Sequence, residues 1–386
     1  MILKKPMKNN WQTKKLGEVC DISTGKWDAN HAVENGGYRF FTCAREPMSC
    51  NTKRFSGECL ILPGNGVNVG DVYYYEGDFD AYQRTYVINK IKSYPKYLFY
   101  HMLAFWKERN LNKQYGSATN FLKIGNFNEY EIPIPPLHEQ KRIVAILDEA
   151  FAAIDTAKEN AEKNLANACT IFESHLQSVF TQRGKGWMEK SLGSLASFRN
   201  GINYTKDSKG DRIKIVGVRN FKKNFSAPMD DLDTVTIDGE LSELDSLRQD
   251  DILAVRSNGN IELIGRCILV GEVTEKVSHS GFTIRIRLSN GEVLPRYLCH
   301  FIKSASSRKR LTDGGTGTNI KSLNQGMLST LAIPFPPISV QKILVEKLES
   351  LSVETKKLEA IYRQKLTDLD ELKKSVLQKA FNGELA

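Results

Sequence analysis

An Ile-Pro-x-Pro-Pro segment occurs twice in this chain, at Ile132-Pro133-Ile134-Pro135-Pro136 and at Ile333-Pro334-Phe335-Pro336-Pro337, and each copy opens a long amphipathic stretch. The copies lie 201 positions apart, and that offset then holds without a gap. Gln140 falls on Gln341, Lys141 on Lys342, Ile143 on Leu344, Leu147 on Leu348, Leu176 on Leu377 and Phe180 on Phe381. A register kept this long marks a duplicated unit, so the chain must fold as two copies of one architecture.

The preceding segments repeat more loosely. Trp11, Leu16-Gly17 and Gly25 answer Trp187, Leu192-Gly193 and Gly201 at an offset of 176. Glu58-x-Leu60 matches Asp251-x-Leu253, Pro95-Lys96-Tyr97-Leu98 matches Pro295-Arg296-Tyr297-Leu298, and Thr119-Asn120 matches Thr318-Asn319. The drift from 176 to 201 is absorbed entirely before the second Pro-rich segment. Surface loops accept length changes at little entropic cost, whereas a helix that must keep register with a partner does not.

Proline disfavours helix in the residue before it, so helix starts only after Pro136 and Pro337. Glu139 then stands in a first turn, favourably placed against the helix dipole. Beyond it, apolar or small residues alternate at spacings of four and three: Ile143, Leu147, Ala150, Ile154, Ala157, Ala161, Asn164, Ala168 and Ile171. The second copy repeats this with Leu344, Leu348, Leu351, Thr355, Leu358, Tyr362, Lys365, Leu369, Leu372 and Val376. This is a heptad seam, with Asn164 and Lys365 as candidate register markers and His175 read as packing on it. About 43 helical residues span about 60 Å, and an apolar stripe of that length needs a partner.

The alanine-rich first seam against the leucine-rich second fits close packing of the two helices on each other. The second helix pairs along its length only by running back, which returns the C-terminus to the first domain. The expected fold class is therefore α+β: two similar globular domains separated by two long antiparallel coiled-coil helices, an internal repeat with a pseudo-twofold axis. The expected boundaries are 1–137 and 183–338 for the globular parts and 138–182 and 339–386 for the helices.

Composition narrows the function. The net charge is +9, but the stretches 138–180 and 339–381 together carry 14 acids against 13 bases, so the positive field sits on the globular parts. Such a field suits a polyanion such as DNA. Residues 1–10 hold three lysines with no apolar core behind them, and no apolar run reaches membrane-spanning length; the expected location is cytoplasmic, with no membrane partner. Seven scattered cysteines form no CxxC pair and no zinc spacing, and are read as reduced, mostly buried thiols.

Catalytic signatures are missing. There is no Asn/Asp-Pro-Pro-aromatic tetrad, and neither Gly64-Asn65-Gly66 nor Gly314-Gly315-Thr316-Gly317 has the lysine spacing of a phosphate loop. Asp230, Asp231 and Asp233 lack a neighbouring lysine-bearing strand motif and are read as a solvated loop rather than a nuclease metal cluster.

What the chain does offer is a reading surface of short Gly- and Asn-punctuated strands with polar, basic and aromatic tips. Trp27, Asn30, Gln83, Arg84, Arg199, Asn200, Asn203, Tyr204, Arg219, Asn220, Arg256 and Asn258 are candidate base readers, because Arg, Asn and Gln form bidentate hydrogen bonds with guanine or adenine edges. Asn65, Asn68, Thr119, Asn120, Thr318 and Asn319 join them as candidate DNA-binding residues. Lys53, Arg54, Lys222, Lys223, Arg308, Lys309 and Arg310 are candidate phosphate clamps, which position without specifying. The segments 62–66 and 255–259 end the same expected strand in both repeats, with different side chains.

The paired Ile-Pro-x-Pro-Pro openings with Gln140 and Gln341, the two coiled-coil helices, the Trp-x4-Leu-Gly starts at Trp11 and Trp187 and the Gly-x-x-x-Asn turns ending at Asn120 and Asn319 resemble one family over essentially the whole chain. That family is the specificity subunit of type I restriction-modification systems. One position departs: the acid of His138-Glu139-Gln140 is absent from Ser339-Val340-Gln341.

The resemblance implies that each globular part is a target recognition domain reading one half of an asymmetric bipartite sequence in double-stranded DNA, while the helices fix the gap and dock two modification (methyltransferase) subunits. The chain itself is then expected to be non-catalytic and to bind no cofactor. S-adenosylmethionine, ATP and Mg are expected on partner subunits, among them the restriction (translocase-nuclease) subunits of a full complex. The alternatives are a stand-alone DNA methyltransferase or nuclease, or a coiled-coil scaffold without DNA binding.

Overall fold

The computed structural model describes residues 11–110, 114–115, 120–221, 224–313 and 322–384. The chain divides into two compact units, Met1–Glu162 with Arg363–Ala386, and Lys163–Tyr362. No helix among the described residues is long and apolar enough to cross a membrane.

In the first unit, β1 (Gln12–Lys15) leads through the one-turn helix α1 (Leu16–Val19) to β2 (Asp21–Thr24), β3 (Tyr38–Phe41), β4 (Met48–Cys50), β5 (Glu58–Pro63), β6 (Tyr73–Glu76), β7 (Phe79–Ala81) and β8 (Thr85–Asn89). Then come α2 (Pro95–Asn110), α3 (Ile124–Asn128), β9 (Glu131–Ile134) and the long α4 (Leu137–Thr181). The strands form a four-stranded antiparallel sheet in the order β2-β8-β5-β6, a three-stranded sheet β4-β3-β7 whose β3–β7 pair is parallel, and the ribbon β1-β9. β5 is central, and its residues from Cys59 to Pro63 are all buried, which is why its sequence is a continuous apolar run.

The second unit repeats this topology strand for strand. It contains β10 (Met188–Ser191), α5 (Leu192–Leu195), β11 (Ala196–Asn200), β12 (Arg212–Val216), β13 (Asp233–Thr236), β14 (Ile252–Val255), β15 (Cys267–Leu269), β16 (Val277–His279) and β17 (Thr283–Leu288). These are followed by α6 (Pro295–Lys303), α7 (Ala305–Asp313), α8 (Gln325–Ser329), β18 (Ala332–Phe335) and the long α9 (Ile338–Phe381). The sheets are β11-β17-β14-β15, β13-β12-β16 with its β12–β16 pair parallel, and the ribbon β10-β18.

The repeated sequence marks have identifiable causes. Pro133 and Pro334 lie in the two ribbons, where their free carbonyls accept the hydroxyls of Tyr97 and Tyr297, each at 2.8 Å. Gln140 is buried at the start of α4; its Oε1 accepts from Tyr94 N at 2.8 Å and its Nε2 donates to Pro135 O at 2.8 Å. Gln341 does the same with Leu294 N at 2.9 Å and Pro336 O at 2.8 Å, and adds Glu292 O at 2.8 Å. The Pro-Pro-x3-Gln and Pro-x-Tyr-Leu repeats are thus one device, joining the long helix to the N-terminus of α2 or α6 by satisfying backbone groups that have no helical partner.

Gly25 and Gly201 mark where the chain leaving β2 or β11 crosses the end of β7 or β16. A Cβ on Gly25 would lie 1.7 Å from Ala81 O, and one on Gly201 would lie 2.3 Å from His279 O, so only glycine fits.

Each long helix begins on its own globular part. In the first unit Ile143, Leu147, Phe151 and Ile154 of α4 share a core with Leu377, Ala380 and Phe381 of α9, and Phe381 packs edge-on against Tyr97 at 5.4 Å. There the two helices are antiparallel, as the pairs Lys158–Asp370 (2.7 Å) and Asp155–Lys373 (2.9 Å) require. In the second unit Leu176 and Phe180 of α4 share a core with Val345 and Leu348 of α9, and Phe180 packs on Tyr297 at 5.4 Å. Each unit is completed by the end of the helix that began on the other.

The seam itself is half corrected. Ile143, Leu147, Ile154, Ala161, Ala168 and Leu348 are buried, and Leu344, Leu351, Leu369 and Val376 are partly buried. Ile171, Leu358 and Leu372 are exposed, as are Asn164, Lys365 and His175. The inward column runs one residue later, through Phe151, Lys158, Leu165 and Phe172, and through Glu359, Leu366 and Lys373. The Lys373 ammonium lies over the Phe151 ring, 4.6 Å from its centroid, and donates to Asp155 at 2.9 Å, so a charged residue occupies a place on this face that a search for apolar letters passes over.

Candidate nucleic-acid interface

A single surface of each unit gathers many of the candidate readers, at the C-terminal end of the central strand and the turn that enters the strand beside it. In the first unit the Tyr82-Gln83-Arg84 turn is closed by Thr85 N donating to Tyr82 O at 2.8 Å. Gln83 N donates to Trp27 O at 2.8 Å, Gly64 N to Arg84 O at 2.9 Å, Leu122 N to Gly64 O at 2.9 Å and Gly66 N to Asn120 O at 2.9 Å. Exposed Gln83 and Arg84 and half-buried Asn65 line a cleft of about 410 Å³ together with Phe121, and Trp27 and Asn120, joined to this turn by backbone hydrogen bonds, are exposed. Trp27 is fixed in place: its Nε1 donates to Asp80 at 3.1 Å and its ring stacks on His31 at 4.1 Å.

The second unit builds the same backbone. Thr283 N donates to Ser280 O, Gly281 N to Ile202 O, Arg256 N to Phe282 O and Leu323 N to Arg256 O, each at 2.8 Å. Arg84 therefore corresponds to Phe282, Gly64 to Arg256 and Trp27 to Ile202. Around this turn Asn200, Asn203 and Tyr204 are exposed, and Arg256 and Asn258 are half-buried. Gln325 Nε2 donates to Asn200 Oδ1 at 3.2 Å.

Other candidates have different duties. Asn220 is buried, its Oδ1 accepting from Gly217 N at 2.9 Å, so it closes a loop and faces no ligand. Arg199 is half-buried in a two-bond ion pair with Asp245 (2.5 and 2.9 Å), and the guanidinium holds that carboxyl below its usual range. Arg219 is engaged by Asp233 at 2.7 Å and Asp231 O at 3.2 Å, which also gives two of the three loop acids a structural role. Arg308 is half-buried beside a cavity of about 460 Å³ and donates to Glu262 O, whereas Lys309 and Arg310 on α7 are exposed.

Asn68 is half-buried and tied to Cys43 O at 2.8 Å, and Asn30 is exposed. Lys53, paired with Asp78 at 2.7 Å, and Arg54, 5.5 Å from the Phe55 ring, lie by the opposite end of β7 from the cleft. Thr119, Lys222, Lys223, Thr318 and Asn319 lie outside the described residues. Among the described residues there is no group of three His, Cys, Asp or Glu side chains able to hold a metal ion.

A family model described as the type I restriction modification DNA specificity domain matches residues 8–165 and again 184–367. The chain belongs to this family. The type I restriction enzyme EcoDI specificity subunit of Escherichia coli is 25% identical over 97% of this chain and 89% of its own length. A chain solved for the complex assembly and conformational transition of a type I restriction-modification system shares the fold, with a TM-score of 0.76 at 15% identity over 97% of this chain and 98% of that one. The HsdS subunit from Thermoanaerobacter tengcongensis does so with a TM-score of 0.63 at 16% identity, covering 98% of both.

In this specificity chain the sequence reading passed over the apolar side chains at the tips: Phe282, 59% exposed, Phe121, and Val67, 97% exposed. The strand pairs, rather than similar letters, make Phe282 the equivalent of Arg84 in the other copy.

Proposed function

We propose that each unit reads one half of an asymmetric two-part DNA target and that the chain itself performs no chemistry. The observation that carries this is the repeated turn: one hydrogen-bonded backbone, built twice, presents Gln83-Arg84 with Gly64 in one unit and Gly281-Phe282 with Arg256 in the other. A scaffold held constant while its outward side chains differ is what two unlike half-sites demand, since base edges are distinguished by donor, acceptor and methyl patterns. Lys309 and Arg310 on the second unit supply positive charge for phosphates, which contributes affinity without sequence.

On this reading two modification subunits dock on the helices and bring S-adenosylmethionine, and any restriction subunits bring ATP and Mg. The docked methyltransferases extrude a base from the duplex to reach it. Because both helices contribute to both units, lengthening them by matched heptads changes the accepted gap. The test is to co-express the chain with its methyltransferase partner and map methylated bases across a genome. A bipartite asymmetric motif is expected; methyl transfer or cleavage by the purified chain alone, or a DNA affinity insensitive to salt, overturns the reading.

A further inference from the structure

The repeated turn also assigns a chemistry to one letter of the second half-site, an inference that rests on the function proposed above. Phe282 sits between Gly281, whose N–H is held by Ile202 O at 2.8 Å, and Thr283, whose N–H is held by Ser280 O at 2.8 Å. Its own carbonyl accepts from Arg256 N at 2.8 Å. The backbone under this residue is therefore fixed on both sides, yet the ring is 59% exposed. Its neighbours on the same surface, Asn203, Tyr204 and Arg256, are polar or carry a polar tip. A large apolar ring held rigidly among hydrogen-bonding groups, where the sister copy holds Arg84, is a contact surface rather than loose coil.

In the major groove the one apolar feature that distinguishes base pairs is the thymine 5-methyl group, and phenylalanine is among the side chains that meet it. We propose that Phe282 makes an apolar contact with a thymine methyl in the second half-site, at the place where Arg84 offers a guanidinium to the first. The contact requires only the outer edge of the ring.

The test uses the co-expressed complex with its methyltransferase partner, once the target is mapped. Each thymine of the second half-site is replaced in turn, on either strand, by deoxyuridine, which removes only the methyl group. For one thymine the intact complex is expected to lose about fourfold in affinity, the equivalent of one buried methyl-sized group, and the Phe282→Ala complex to lose nothing further. Phe282 is exposed, so this variant folds, and recognition of the first half-site is its internal control.

The inference is overturned if the second half-site contains no thymine, if no thymine responds, or if the response survives in Phe282→Ala. Equal weakening by Phe282→Ala on every duplex overturns it in favour of a wedge or a packing role. Absence of any bipartite motif with the unaltered chain instead sinks the proposed function, and this inference with it.

Discussion

The two units share their strand order, their parallel and antiparallel pairings and their buried anchors, and differ in what they hold outward. Gln140 and Gln341, Tyr97 and Tyr297, and Gly25 and Gly201 occupy equivalent places with equivalent partners. At the tip Arg84 is replaced by Phe282, Gly64 by Arg256 and Trp27 by Ile202. Buried groups are constrained by geometry on every side, whereas exposed tips are constrained only by what they meet. The comparison teaches that duplication preserved the frame and freed the contact surface.

The severest way to break the comparison is to fill the glycine crossings. Gly25→Ala and Gly201→Ala each place a methyl against a backbone carbonyl, and each is expected to destabilise its own unit by about 3 kcal/mol or more, read as a lowered denaturant midpoint. If Gly201→Ala melts like the parent, the two crossings are not equivalent.

A finer distinction lies in the glutamines. Gln341→Ala strands three backbone partners and Gln140→Ala two, so costs of about 1–3 kcal/mol are expected for each, with Gln341 the larger. Equal losses would show that the added Glu292 carbonyl contact contributes nothing.

A further distinction appears in acid. Burial pushes His279 down to about 3 and His300 to about 4, and both rings lie in the second unit. His300 has neither ring nitrogen hydrogen-bonded and packs on Phe225 at 4.4 Å. A histidine whose folded pKa is depressed binds its proton more readily when unfolded. The stability each such histidine contributes is therefore fully present above the unfolded value near 6.5 and falls by up to about 1.4 kcal/mol per pH unit below it, down to the folded value. His300→Leu is expected to shrink the fall in melting temperature between pH 7 and pH 5; an unchanged fall would place the acid sensitivity elsewhere.

Much of the frame was legible because its causes are local. Proline before the long helices, the glutamine after them and the ungapped register between the copies all leave letters at fixed spacing. The seam was legible in one column only, since a heptad leaves two adjacent candidates at every other layer, and Lys373 and Glu359 occupy layers where apolar letters were sought. The candidate readers were hardest. Asn220 and Arg199 look like contact residues in sequence, but one satisfies a loop amide and the other a half-buried carboxylate within its own unit. Residue type announces which hydrogen bonds are possible and is silent on which are already made.

The sequence by itself determined that there are two copies and where each long helix starts, because periodicity and proline stereochemistry act over a few residues, and its motifs carried the family resemblance that implied recognition. Only the tertiary structure decided which helix face is buried, that the end of each helix completes the unit on which the other began, and that Phe282 answers Arg84. Those outcomes depend on contacts between residues far apart in the chain, where packing and hydrogen-bond satisfaction choose among alternatives that local spacing leaves equal.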